Sequence, residues 1–218
     1  MTRLVVFDCD GTLIDSQANI CRAMDAAFGR AVLAPPCHDD VRRVVGLNLV
    51  EAVAELLPDA DADLHVRVAG DYKRAFQQLR ADGLVNEPLF DGIGAVLAQL
   101  ADAGWLLGVA TGKSDRGLTL ALAHHGISHR FVTLQTADRH PSKPHPSMVD
   151  AAMVEAGATP ATTVVVGDTC FDMAMAANAG TRAIGVSWGY HPATELVAAG
   201  ATHVATQPAE LINLFERP

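Results

Sequence analysis

The stretch Leu4-Val5-Val6-Phe7-Asp8-Cys9-Asp10-Gly11-Thr12-Leu13-Ile14-Asp15-Ser16 decides the fold. Its opening apolar run, rich in valine, has the pattern of a strand buried on both faces, as in a parallel sheet covered by helices. The run leads directly into Asp8 and Asp10, so two carboxylates stand at the carboxyl end of a core strand. Desolvating an isolated carboxylate costs on the order of several kcal/mol, and two together call for a balancing cation, usually a metal. Gly11 lets the backbone turn tightly beside them. For a bare Asp-x-Asp an acidic turn would be sufficient explanation; the longer string weighs against it.

Working outward, Ser16 is placed to cap a helix whose one face carries Ile20, Met24 and Phe28. Helical patterns continue over residues 39–45, 49–57 and 62–79, broken at Ala34-Pro35-Pro36, Gly46 and Pro58-Asp59. Strand signals are missing from this block, which reads as an all-helical insertion. From about Phe90 the pattern becomes strand, loop and helix in repetition. Strands are predicted over 106–110, 131–135, 163–166 and 183–187, and helices over 93–103, from Ser114 to Gly126, and over 147–156. Alternation of this kind predicts an α/β fold, a Rossmann-like parallel sheet with helices on both faces. The core would comprise residues 1–15 and 89–218, and the helical cap residues 16–88.

In open parallel sheets, ligands bind beyond the carboxyl ends of the strands. Asp8, Asp10, Thr111, Lys143 and Asp168 all follow strand ends and would gather along that edge, beneath the helical insertion acting as a lid. Three carboxylates, a hydroxyl and a lysine suit phosphoryl transfer, which needs a nucleophile, a divalent cation and donors around the equatorial oxygens. Asp8 and Asp168, with a backbone carbonyl, are the hard oxygen ligands that Mg²⁺ prefers. Thr111 and the amides opening the Ser114 helix can donate to phosphate oxygens. Lys143 precedes Pro144, which disfavours α geometry and holds the lysine extended. Lys113 reads equally as a source of positive potential near the phosphate and as a solvated residue at a helix start.

A net charge of −9 and a pI near 5.3 argue against nucleic acid or an anionic membrane as the main partner. No apolar run approaches the ~18 residues of a membrane helix, and the first strand starts too early for a leader to precede it. The four cysteines form no Cys-x-x-Cys pair and read as reduced thiols, so the cytoplasm is the expected location. Gly112-Lys113-Ser114 lacks the upstream glycine of a nucleotide P-loop, and the histidines show no zinc-like grouping with cysteines. Nothing in the sequence signals an oligomeric state.

Phe7-Asp8-Cys9-Asp10-Gly11-Thr12-Leu13 resembles the first motif of the haloacid dehalogenase-like superfamily, in the two-aspartate form of its phosphatases and phosphomutases. Val109-Ala110-Thr111-Gly112 is similar to its second motif, Ser142-Lys143-Pro144-His145-Pro146 to its third, and Val164-Val165-Val166-Gly167-Asp168-Thr169-Cys170-Phe171-Asp172 to its fourth. The helical block resembles the cap that one subgroup carries between the first two motifs. The resemblance implies that Asp8 attacks phosphorus and forms an aspartyl-phosphate, while Asp10 protonates the leaving oxygen and later activates water. It implies that Thr111, Gly112 and Lys143 bind the phosphoryl group, that Asp8, the Asp10 carbonyl and Asp168 hold Mg²⁺, and that Asp172 supports this shell.

The expected activity is a Mg²⁺-dependent phosphatase acting on a small phosphorylated metabolite. A β-phosphoglucomutase-like mutase shares the same core motifs, and a non-catalytic phosphate sensor is disfavoured because every catalytic position is filled. Dehalogenation has no use for Asp10, and a phosphonate hydrolase would depend on Lys73 alone in the cap. Residues 42–48, Arg42-Arg43-Val44-Val45-Gly46-Leu47-Asn48, are the part of the cap expected to reach the site. The cap resembles that of phosphoglycolate phosphatases, so Arg43 is the expected partner of a substrate carboxylate, in a lidded site with little spare volume.

Overall fold

A computed structural model describes residues 1–215. The last three residues of the expected core segment, 216–218, lie outside the described residues. The sheet is parallel throughout, in the order β3-β2-β1-β4-β5-β6. Its strands are β1 (Arg3–Phe7), β2 (Trp105–Thr111), β3 (Phe131–Thr136), β4 (Thr163–Gly167), β5 (Arg182–Val186) and β6 (His203–Ala205). Of these, β6 is absent from the sequence prediction. It spans only His203, Val204 and Ala205, too short for a period to register, and it forms because it pairs with β5.

Residues of β1 alternate between two apolar layers. Val5 and Phe7 pack with Ile93 and Leu97 of α5 (Ile93–Asp102), Leu118 and Leu122 of α6 (Asp115–His124), and Leu211 of α10 (Glu210–Phe215). Leu4 and Val6 pack with Met148 and Val149 of α7 (Ser147–Ala156), Met173 of α8 (Cys170–Asn178), and Leu196 of α9 (Ala193–Ala198). Burial on both faces is why the strand is a continuous apolar run and not an alternating one. Each fully buried valine or leucine contributes roughly 1.5–3 kcal/mol relative to exposure.

The insertion consists of α1 (Gln17–Arg30), α2 (His38–Arg43), α3 (Leu49–Leu56) and α4 (Ala62–Ala81). It has a core of its own, in which Ile20, Met24 and Phe28 of α1 meet Val41, Val53 and Val68. Asp61 caps α4 by accepting from the Leu64 N–H at 2.7 Å, and Asn48 caps α3 through the Val50 N–H at 3.1 Å. Ser16 stands at the start of α1 as expected, but its hydroxyl makes no capping bond; its carbonyl accepts from Asn19 and Ile20 instead. The two passages between insertion and sheet run side by side, with Asp15 N–H donating to Pro88 O at 2.8 Å and Phe90 N–H to Leu13 O at 3.1 Å. No helix of the described residues is long and apolar enough to cross a membrane.

Candidate active site

The sheet order sets the geometry. Because β1 lies between β2 and β4, the loop after β1 opens between those following the other two strands, at the point where the chain order reverses direction. Asp8 is pinned there by its N–H, which donates to Val166 O of β4 at 2.8 Å. The backbone then coils back, with Leu13 and Ile14 N–H both donating to Cys9 O. Gly11 makes this turn at φ +82°, and a Cβ at that position would overlap Asp168 Oδ2, so both torsion and space demand glycine.

Asp8, Asp168 and Asp172 are buried and each places a carboxylate oxygen within 4.8 Å of the others. Lys143, 1% exposed, bridges two of them, its Nζ 2.8 Å from Asp8 Oδ1 and 2.7 Å from Asp172 Oδ1. Asp172 is otherwise occupied by Thr169, whose N–H and hydroxyl both donate to Oδ2, at 3.1 and 2.7 Å, opening α8. Asp168 accepts from the Thr12 hydroxyl at 2.8 Å and from the Tyr190 N–H at 2.9 Å. Trp188 Nε1–H donates to Thr12 O at 3.1 Å, so the loop after β5 closes over the carboxylates. That loop was not singled out in the sequence, where Trp188-Gly189-Tyr190 has no motif to mark it.

The electrostatics are those of an acidic site short of positive charge. Burial pushes Asp8 up to about 7, against the pull of Lys143 and with a further push from Asp172. Burial, then Asp8 and Asp172, also hold Asp168 well above the usual carboxylate range. Burial would depress Lys143, but Asp172 and Asp8 overcome it and keep the ammonium charged. Asp8 Oδ2 is buried without a hydrogen-bond partner among the described residues. An orphaned carboxylate oxygen, beside a second buried carboxylate whose donors leave lone pairs over, is the donor set of a hard divalent cation. The residues fit a metal there.

On the β2 side, Thr111 is buried and its Oγ1 accepts from the Lys113 N–H at 3.1 Å, which leaves the hydroxyl proton for another acceptor. Ser114 caps α6 through the Gly117 N–H at 3.1 Å, as expected. A Cβ at Gly112 would come 2.7 Å from Leu47 O, so the cap loop lies directly on the residue following Thr111. Asn48 N–H adds a second tie, donating to Ser142 Oγ at 2.8 Å beside Lys143.

Lys113, open between two readings in the sequence, has a definite place. Its Nζ lies 2.8 Å from Asp10 Oδ1 and 3.1 Å from Glu87 Oε1, and Arg80 Nη2 of α4 reaches Glu87 Oε2 at 2.9 Å. Burial works against the charge on Lys113, but Asp10 and Glu87 raise it above the ordinary lysine range. Burial likewise opposes ionisation of Glu87, yet Lys113 and Arg80 hold it below its usual value. The solvated reading of Lys113 is therefore corrected.

Arg43 also departs from expectation. Its Nη2 donates to both oxygens of Glu195 on α9, at 3.0 and 3.3 Å, and its carbonyl accepts from His191 Nε2 at 3.2 Å. It lies outside the cavity that leads from Asp8 and Asp10 into the cap. The segment 42–48 does reach the site, but through Val44, Val45, Gly46 and Leu47. The cavity has a volume of about 560 Å³, so the expected lack of spare volume is corrected as well.

A family model for haloacid dehalogenase-like hydrolases matches residues 5–186. The chain belongs to the haloacid dehalogenase-like hydrolase family. Among its relatives is the "Probable phosphatase IndB" of Dickeya dadantii, 39% identical over 99% of this chain and 91% of that one. A phosphoglycolate phosphatase of Vibrio vulnificus is 29% identical over 97% of this chain and 95% of its own. The crystal structure of a predicted phosphatase from Clostridium acetobutylicum superposes with a TM-score of 0.88 at 26% identity, covering all of both chains. The haloacid dehalogenase-like fold and the family's acidic edge are thus both present, and the chain is a phosphatase.

Proposed function

We propose that the chain is a Mg²⁺-dependent phosphomonoesterase working through an aspartyl-phosphate on Asp8, with residues 16–88 as a cap over a core of 1–15 and 89–218. The observation that carries this reading is the buried, unpartnered Asp8 Oδ2 beside Asp168 and Lys143. Asp8, the Asp10 carbonyl and Asp168 would hold Mg²⁺, which supplies charge neutralisation for the approach of a phosphate to three carboxylates.

Asp8 attacks phosphorus as the bond to the leaving oxygen breaks, and Asp10 gives that oxygen its proton. Asp10 then takes a proton from water, whose oxygen attacks phosphorus and releases Asp8 and inorganic phosphate. Thr111, Gly112 and Lys143 receive the phosphoryl oxygens, and Asp172 positions Lys143. The free thiols Cys9, Cys21, Cys37 and Cys170 support a cytoplasmic setting. Phosphoglycolate stands as a candidate on the names of relatives alone, since the arginine that was to receive its carboxylate is engaged by Glu195.

The test is to mix enzyme, Mg²⁺ and an aryl phosphate, quench in acid and look for a hydroxylamine-labile phosphate on Asp8 by mass spectrometry. Asp8→Asn should lose the adduct and at least a thousandfold in turnover while keeping its fold. Full turnover in that variant would reject the covalent mechanism. Stoichiometric release of inorganic phosphate separates hydrolysis from mutase chemistry.

A further inference from the structure

The cavity above the catalytic carboxylates is walled by apolar side chains from all the cap helices and from one core helix. Ile20 and Met24 of α1 are buried behind it, Leu49 of α3 and Tyr72 and Phe76 of α4 border it, and Leu120 of α6 closes the opposite side. Leu120 is 37% exposed, a large apolar side chain left to solvent on the wall of the cavity. A volume of about 560 Å³ lies within the roughly 300–1,000 Å³ of pockets that enclose a whole organic ligand.

Cations on these walls are committed or solvated. Lys113 is matched by Asp10 and Glu87, Arg80 is matched by Glu87, and Lys73 and Arg116 are exposed. A leaving group bearing a carboxylate would surrender its hydration to Leu49, Tyr72 and Phe76 without a buried cation in return. An apolar one would cover those side chains and Leu120, removing apolar surface from water.

We infer that the leaving group of the substrate is an apolar alcohol seated between the cap helices and Leu120. The inference rests on the phosphatase reading and names the class of ester that site takes. Arg43 has no part in it, and specificity lies with Leu49, Tyr72, Phe76 and Leu120.

The test compares n-alkyl phosphates from methyl to octyl, whose leaving-group acidities barely differ, with phosphoglycolate, all with Mg²⁺. We expect kcat/KM to rise roughly fourfold per methylene over the first several carbons, at about the increment of burying each one. Octyl phosphate should exceed phosphoglycolate at least a hundredfold. Leu120→Asp, on an exposed position of α6, should flatten the series, with a loss that grows from methyl to octyl phosphate. A flat series, or phosphoglycolate as the best substrate, overturns the inference and leaves the phosphatase reading standing. Binding of n-alkyl phosphonates by calorimetry is the second measurement. Affinity that climbs with chain length upholds the apolar site even where no ester is hydrolysed, an outcome that would sink only the phosphatase reading; affinity independent of chain length overturns the site.

Discussion

Lys113 Nζ lies 2.8 Å from Asp10 Oδ1 and, through Glu87, is joined to Arg80 on the longest cap helix. One chain of ion pairs therefore runs from the cap to the carboxylate proposed to handle the proton, across residues on α4, the passage from cap to core, and the loop after β2.

Removing the central cation should be costly. In Lys113→Met, Asp10 and Glu87 face each other at close range with only Arg80 between charge and apolar surroundings, and breaking a buried pair in this way typically costs 3–5 kcal/mol, on the order of what denaturant unfolding can resolve. Turnover should fall at least tenfold as Asp10 loses its fixed position. Unchanged stability and unchanged rate would mean the chain of pairs is idle.

Asp10 itself is tested by leaving-group dependence. Asp10→Asn should cost alkyl phosphates about a hundredfold or more in kcat and aryl phosphates far less, because only a basic departing oxygen needs a proton. Equal losses on both would assign Asp10 to the metal shell and not to proton transfer.

Metal binding should be visible without any turnover. At a Mg²⁺ concentration about a hundredfold above its Kd, the melting temperature should climb by about 5–10 °C. Asp168→Asn should abolish the rise, since one of the crowded carboxylates that Mg²⁺ would balance is gone; a full shift in that variant would place the ion elsewhere.

Arg43 should matter little to substrate. Its pair with Glu195 is largely solvent-exposed, and such pairs contribute about 0–1 kcal/mol. Arg43→Ala should change KM for phosphoglycolate and for an aryl phosphate less than twofold. A selective rise with phosphoglycolate would restore the role first expected of it.

His191 ties the same region together and gives stability a pH dependence. Its Nδ1 accepts from the Cys170 N–H at 3.3 Å and its Nε2–H donates to Arg43 O, an arrangement only the neutral ring can make. Burial holds it below the ordinary histidine value of 6.5. The unfolded chain thus binds a proton that the folded chain refuses, so stability is complete above about 6.5 and declines as pH falls below it toward the folded value. The stability difference between the protein and His191→Gln should shrink between pH 7.5 and 5.5, as followed by urea unfolding. A constant difference would show that His191 does not titrate on unfolding.

The local record in the residues sufficed for much of this. A run such as Leu4–Phe7, apolar at every position, specifies a strand covered on both sides, and its alternation with helical periods leaves little choice but a parallel sheet with its ligand edge at the carboxyl ends. Asp8, Asp10 and Asp168 follow strand ends, Thr111 ends β2 and Lys143 lies in the loop after β3, so the sheet alone carries all five to one edge. The fates of Arg43, Lys113 and Glu87 belong to the tertiary structure. Arg43 meets Glu195 from 152 positions away, and Lys113 meets Asp10 within the core and Glu87 across the seam between cap and core. Long flexible cations carry no local mark of the carboxylate they will pair with, and the volume of a cavity depends on how far apart packing holds two units, which no period in the chain encodes.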